Sequence, residues 1–331
     1  MTARHAVHVL FTGGTISMRI DPGTGAAVPA LSGEEIVARV HGLRKEARLT
    51  LEDYARLPGP HVTPEWMWRL KERAAELVAD PTVDGVVITH GTDTLEETAF
   101  LLDLTLATDK PVVFCGAMRT VSEPGWDGPA NLMTAVRTAV HADARARGVL
   151  VAVGEQILSG AEATKWHTQS LGAFRSPRGP IGVIDRGQVV FERPPFRERP
   201  LPVRALVPAV DLHTMAAGVD DALLRASLAR GARGLVLEAT GCGNVPPAAM
   251  PGVRAALSAG VPVVLVSRCA EGRVSPAYGY EGGGQMLREL GVIFGADLPG
   301  PKARIKLMVC LGMTSDVVEI RRLFESSSPT S

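Results

Sequence analysis

Charge imbalance, paired cysteines and long apolar runs are all missing from this chain, and each absence removes a class of function. The 35 lysines and arginines balance 35 aspartates and glutamates, for a formal net charge of +0. A nucleic-acid groove or a membrane-binding face would leave an electrostatic footprint, so neither partner is expected. The four cysteines, Cys115, Cys242, Cys269 and Cys310, include no C-x-x-C pair. They read as reduced, mostly buried thiols rather than a disulfide frame or a zinc site. No H-E-x-x-H occurs, so metal catalysis is not expected. No apolar stretch is long enough to span a bilayer. Met1 leads straight into the first strand pattern, leaving no room for a signal peptide, and a cytoplasmic location is expected. Lysine is scarce: Lys45, Lys71, Lys110, Lys165, Lys302 and Lys306 are the whole set. A lysine beside a catalytic-looking motif therefore carries more weight than usual.

What is present is an alternation of strand and helix patterns. With 331 residues, about two domains are expected at roughly 150 residues each. Residues 7–11, 83–88, 111–115 and 148–153 are short, apolar and β-branched, as parallel strands buried on both faces should be. Amphipathic helix patterns lie between them at 64–79, 95–107 and 130–147. Thr94 and Glu97 have the spacing of a capping box, which predicts a helix start there. The proline- and arginine-rich stretch 193–204 suits neither helix nor central strand and reads as an extended linker. Beyond it the pattern predicts strand 205–210, helix 220–230, strand 234–238, helix 247–259, strand 261–267, helix 301–311, a shorter helix, and a frayed tail over 325–331. The expected fold is α/β: a larger N-terminal catalytic domain (1–192) and a smaller C-terminal domain (205–331), both with mostly parallel sheets.

Two turns carry the chemistry. Thr12-Gly13-Gly14-Thr15-Ile16 follows the first strand pattern, and Thr89-His90-Gly91-Thr92-Asp93-Thr94 follows the second. Ligands in open α/β sheets bind at the carboxyl ends of strands, where such turns lie. Hydroxyls presented there, close to backbone N–H groups, suit nucleophilic chemistry. The first string alone is short enough to be an ordinary glycine turn. A dinucleotide site fails on detail, since there is no G-x-G-x-x-G and no P-loop lysine.

The longer second string, Thr89-His90-Gly91-Thr92-Asp93-Thr94-Leu95-Glu96-Glu97-Thr98-Ala99, closely resembles the bacterial-type L-asparaginases and the related glutaminase-asparaginases. The resemblance spans nearly the whole chain. It includes Gly116-Ala117-Met118-Arg119, Asp127-Gly128-Pro129, Ala163-Thr164-Lys165, Gly241-Cys242-Gly243-Asn244 and Pro301-Lys302-Ala303-Arg304. It implies hydrolysis of L-asparagine to L-aspartate and ammonia without a cofactor, in a homodimer or homotetramer with shared sites. Thr15 is then the nucleophile, and Thr92, Asp93 and Lys165 form a second catalytic cluster. The backbone N–H groups of Thr15 and Thr92 are the candidate oxyanion donors. A threonine hydroxyl needs a base, and a lysine serves as one only when neutral. The resemblance also gives Asp93 the substrate ammonium. Asn244 reads equally well as a turn residue or as a group arranging the site across a subunit boundary. His90 is expected to orient the turn or pack beneath it, and Cys115 and Cys242 to be small buried hydrophobes.

Three positions depart from the family pattern. The loop over 17–31 has no tyrosine to assist the nucleophile; its polar residues nearest the motif are Ser17, Arg19 and Asp21, and the only tyrosines are Tyr54, Tyr278 and Tyr280. Gly59 and Pro60 stand where the family offers serine and an amide or acid to the substrate carboxylate, with Arg56 or His61 as possible substitutes. Glu281, with Glu271 next, is the best match to the carboxylate supplied by a neighbouring subunit. These departures leave three rivals to asparagine hydrolysis. One is an altered amide substrate such as L-glutamine, D-asparagine or a modified asparagine. Another is an amino-acid-binding homologue without turnover. The last is the amidotransferase subunit acting on misacylated tRNA, disfavoured by the zero net charge and the absence of a domain before Val7.

Overall fold

The computed structural model describes residues 5–325, which divide into two compact units between Pro200 and Leu201. In the first unit β1 (Ala6–Gly13) leads into a hairpin of β2 (Met18–Ile20) and β3 (Ala27–Pro29). Short helices α1 (Gly33–Val37) and α2 (Leu43–Glu46) precede β4 (Arg48–Leu57). Helix α3 (Pro64–Ala79), β5 (Gly85–Thr89), α4 (Leu95–Thr105), β6 (Val112–Cys115), α5 (Gly128–Val140) and β7 (Val149–Val153) then alternate. The unit closes with β8 (Gln156–Ser159), a ribbon of β9 (Thr164–Lys165) and β10 (Phe174–Arg175), and β11 (Gly182–Asp185) with β12 (Gln188–Phe191).

The main sheet has eight strands in the order β12-β11-β8-β7-β6-β5-β1-β4. From β7 to β4 every neighbour is parallel, and the three strands beyond β7 are antiparallel. The pleat sorts the apolar residues onto two faces. Val7, Val9, Phe11, Val87 and Val113 pack with Leu132, Ala135 and Val136 of α5. Leu10, Val86, Ile88 and Phe114 pack on the other face with Leu70, Ala74, Leu95, Ala99 and Leu102 of α3 and α4. Strand β1 lies between β4 and β5, which follow it on opposite sides, so the chain direction reverses at β1. That is the switch point at which doubly wound sheets open a crevice beyond their carboxyl ends.

Residues 193–200 carry no regular element but are tied to the first unit. Arg193 donates to Glu162 at 3.0 Å, and Arg197 pairs with Asp103 at 3.1 Å; both carboxylates are buried. Arg178 lies over the Phe196 ring.

In the second unit, β13 (Val210–Thr214), α6 (Ala222–Ala229), β14 (Gly234–Ala239), α7 (Met250–Ser258), β15 (Val263–Ser267), α8 (Gly284–Leu290), β16 (Ile293–Phe294), α9 (Gly300–Met313) and α10 (Val317–Glu325) build a four-stranded parallel sheet with helices.

Several expected elements shift. The strand expected at 205–210 begins instead at Val210, because Pro208 supplies no N–H for a ladder. The helix expected over 130–147 stops at Val140; His141 is extended, and its Nδ1 accepts from the Asp143 N–H. The Thr94–Glu97 capping box does not form: Thr94 is the N-cap of α4 but makes no side-chain cap. Two of the four cysteines depart from the buried expectation, Cys242 being half-buried and Cys269 exposed. Glu325 ends α10 rather than opening a tail, and residues 326–331 lie outside the described residues.

Candidate active site

The two threonine turns meet at the switch point because glycine lets them. Gly13 and Gly14 have φ of 108° and 76°, and Gly14 with ψ −178° sits in a region open essentially to glycine alone. A Cβ on Gly14 would fall 2.4 Å from the Gly91 Cα, and one on Gly91 would fall 2.7 Å from the Gly59 Cα. Three backbones, following β1, β5 and β4, are thus in van der Waals contact. Gly14 N–H donates to Leu57 O at 2.9 Å, and the Thr12 hydroxyl donates to Thr89 O at 2.7 Å. The residues that follow these contacts are Thr15 and Thr92. Thr15 opens a single 3-10 turn and is partly exposed, while Ser17 turns away to donate to Gly14 O.

Thr92 is buried, and its Oγ1 lies 2.9 Å from Lys165 Nζ. The same Nζ donates to Asp93 Oδ1 at 2.6 Å. Lys165 is drawn inward, with a side chain 16 % exposed, whereas the Asp93 side chain is 58 % exposed and open to a ligand. The structure therefore brings Thr92, Asp93 and Lys165 into direct contact and sets the turn of Thr15 against theirs. The neighbour that Lys165 meets is a carboxylate, not a cation.

Beneath the turn, His90 is fully buried between the Trp66 and Phe114 rings. Its Nδ1–H donates to Gly91 O at 2.8 Å, leaving Nε2 to accept from the Thr98 hydroxyl at 3.0 Å. Burial pushes its pKa down to about 4, so the ring is a neutral prop. Cys115 is equally buried, and its thiol is pushed up to about 12. The Thr94 hydroxyl donates to Gly59 O at 2.9 Å, which ties the β5 turn to the loop after β4 and accounts for the missing cap.

Sequence reasoning gave no role to two groups that shape the site. Asp127 accepts the backbone N–H groups of Met118 and Arg119 at 2.9 and 3.0 Å and also Asn131 Nδ2, which fixes the loop after β6. Glu96 accepts the Lys165 N–H at 2.5 Å. The signal for Asp127 was its place before the Gly128-Pro129 helix start; Glu96 had none beyond its acidity in the first turn of a helix.

Residues 6–197 match the family described as Asparaginase, N-terminal, and residues 209–324 the Glutaminase/Asparaginase C-terminal domain. The chain belongs to the asparaginase family. A probable L-asparaginase of Deinococcus radiodurans is 39 % identical, covering 96 % of each chain. An L-asparaginase of Bacillus licheniformis is 35 % identical over 92 % of this chain and 95 % of its own. The crystal structure of a probable cytoplasmic L-asparaginase from Campylobacter jejuni superposes with a TM-score of 0.85 at 33 % identity, covering 97 % of this chain and 99 % of that one.

Gly59 is buried beside Asp93, Arg56 faces Asp53 at 3.7 Å, and His61 closes a short 3-10 turn. Asp21 is consumed by the hairpin turn, where the N–H and hydroxyl of Thr24 hold its carboxyl below the usual range. Tyr54 sits on β4, edge-on to Trp66. Asn244 and Glu281 lie in the second unit. Asn244 O accepts from Thr240 N–H and hydroxyl in a tight bridge, and its buried Oδ1 has no hydrogen-bond partner. Glu281 pairs with Arg254 at 3.1 Å, and Tyr278 and Tyr280 stack on each other nearby in the chain. Among the described residues no cluster of histidine, cysteine, aspartate or glutamate could hold a metal, and no helix is long and apolar enough to cross a membrane.

Proposed function

We propose that this chain hydrolyses L-asparagine to L-aspartate and ammonia through Thr15. The observation that carries the reading is Lys165 Nζ bridging Thr92 Oγ1 and Asp93 Oδ1 on a turn packed against that of Thr15. The Thr15 oxygen adds to the side-chain amide carbon, its proton passes to the leaving nitrogen, and ammonia departs. Water then opens the acyl-threonine ester, which frees L-aspartate and restores the hydroxyl. Thr92 and Lys165 form the proton path, and positioned acid–base groups of this kind contribute roughly 10²–10⁴-fold. The open Asp93 carboxylate takes the substrate ammonium, and the N–H groups of Thr15 and Thr92 receive the oxyanion. No cofactor takes part. We place the enzyme in the cytoplasm as a homodimer or homotetramer, with Asn244 and Glu281 completing a partner's site. A midpoint of thermal unfolding that rises with protein concentration supports the assembly.

Ammonia release from L-asparagine, measured beside L-glutamine and D-asparagine, tests the reading, with Thr15→Ala as control. Turnover of L-asparagine that disappears in the variant is the expected result. A second reading, altered amide choice, is favoured by Gly59, which offers no hydroxyl beside Asp93. Activity on L-glutamine, D-asparagine or a modified asparagine in place of L-asparagine would select it. Binding of L-asparagine without release of ammonia would instead mark a homologue that has lost turnover.

A further inference from the structure

Lys165 lies on a slender support. Strand β9 has two residues and pairs with the equally short β10, and residues 166–172 beyond it are all exposed. Trp166 N–H donates to Ala173 O at 2.6 Å, toward β10. Successive N–H groups along a strand alternate sides, so the Lys165 N–H faces the opposite edge. There it meets Glu96 Oε2 at 2.5 Å. Glu96 is buried at the second position of α4, where a helix start favours a carboxylate through its unpaired N–H groups and dipole. The turn leading into that helix carries Thr92 and Asp93. One element therefore holds the lysine twice, by its side chain ahead of the helix and by its backbone inside it.

We propose that Glu96 is a positioning residue for the hydrolysis: by accepting the Lys165 N–H it fixes the ribbon so that Nζ reaches Thr92 and Asp93. This rests on the role given to Lys165 above. A charge-assisted hydrogen bond is roughly twice as strong as a neutral one, and a displacement of about 1 Å at a reacting group can cost about 10²-fold.

Three variants test it, with kcat and KM for L-asparagine and the hydrogen exchange of the Lys165 amide as readouts. Glu96→Ala lowers kcat by about 10–100-fold with KM within about threefold, and its Lys165 amide exchanges at least about tenfold faster. Glu96→Asp keeps the charge but is a methylene short, and it behaves like alanine. Glu96→Gln keeps an acceptor oxygen at the same reach and restores most of kcat and of the protection. Should the alanine variant fail to fold, the aspartate and glutamine pair carries the comparison. Wild-type kcat per folded molecule in both Ala and Asp, or glutamine as impaired as alanine, overturns the proposal. Those results beside an active wild type and an inactive Lys165→Ala overturn it alone. A wild type that releases no ammonia overturns it together with the reading beneath it.

Discussion

The two halves of the candidate cluster are built differently. Thr92 and Asp93 stand on a turn that leaves a central parallel strand, lies against two other backbones and rests on a buried histidine. Lys165 stands on a two-residue ribbon at the end of an exposed loop. The first half inherits its rigidity from the core, since any movement would open packed backbone. The second depends on a few polar contacts made across 69 to 73 residues of sequence. Changes on the turn are thus expected to cost fold and activity together, and changes at the ribbon to cost activity alone.

Lys165→Ala is the sharpest test of that split. It removes the proton path and the ion pair with Asp93, so kcat is expected to fall about 10²–10⁴-fold. The pair is partly exposed, and its loss shifts the unfolding midpoint by little. A large loss of stability in this variant would break the comparison. Gly14→Ala makes the complementary change. Its Cβ would sit 2.4 Å from a backbone carbon at a φ and ψ that only glycine favours, so unfolding free energy is expected to drop by at least about 3 kcal/mol, with activity lost alongside. Calorimetry beside the ammonia assay reads both.

Acid titration probes the prop beneath the turn. Above pH 6.5 His90 is neutral in both folded and unfolded chains and adds no slope. As pH falls below 6.5, the unfolded chain takes a proton that the folded one refuses until about pH 4. Stability is therefore lost on descending through that window, by roughly 3 kcal/mol for this group. Denaturant unfolding of His90→Gln against wild type between pH 7 and pH 4 isolates it, and the variant is expected to give the flatter curve. Parallel curves would mean that the folded protein accepts the proton.

The same split governs what could be read from the residues. Strands β1, β5, β6 and β7 are short β-branched runs buried on both faces, a pattern that local sequence carries in full, and the turns after them follow. Strand β4 went unread because it is an edge strand with half its residues polar, although Leu49 and Leu51 alternate toward the core. Thr94 carried a capping signal that the loop at Gly59 redirected. Glu96 was invisible, since nothing near it in the chain announces a partner at Lys165. Local pattern reveals what the strands hold, and it is silent on polar contacts between segments far apart in sequence.

Gly59 gives the smallest expected effect and the finest resolution of the site. Its buried Cα packs on Gly91, and a Cβ there would lie 3.3 Å from the Asp93 Cβ. That contact is tight by only a few tenths of an ångström; the Asp93 Cβ moves with its backbone, and a shift that small lies within the roughly 0.5 Å of ordinary thermal displacement. Gly59→Ser would thus fold and set a hydroxyl beside the carboxylate proposed to hold the substrate ammonium. One added hydrogen bond to a charged ligand group contributes about 1.5 kcal/mol, roughly a tenfold change in affinity. KM for L-asparagine is expected to fall by about that factor with kcat nearly constant, because a ground-state anchor acts on binding before chemistry. An unchanged KM would place the substrate carboxylate away from Gly59. A KM that falls for an amide other than L-asparagine would make Gly59 the position that sets substrate choice.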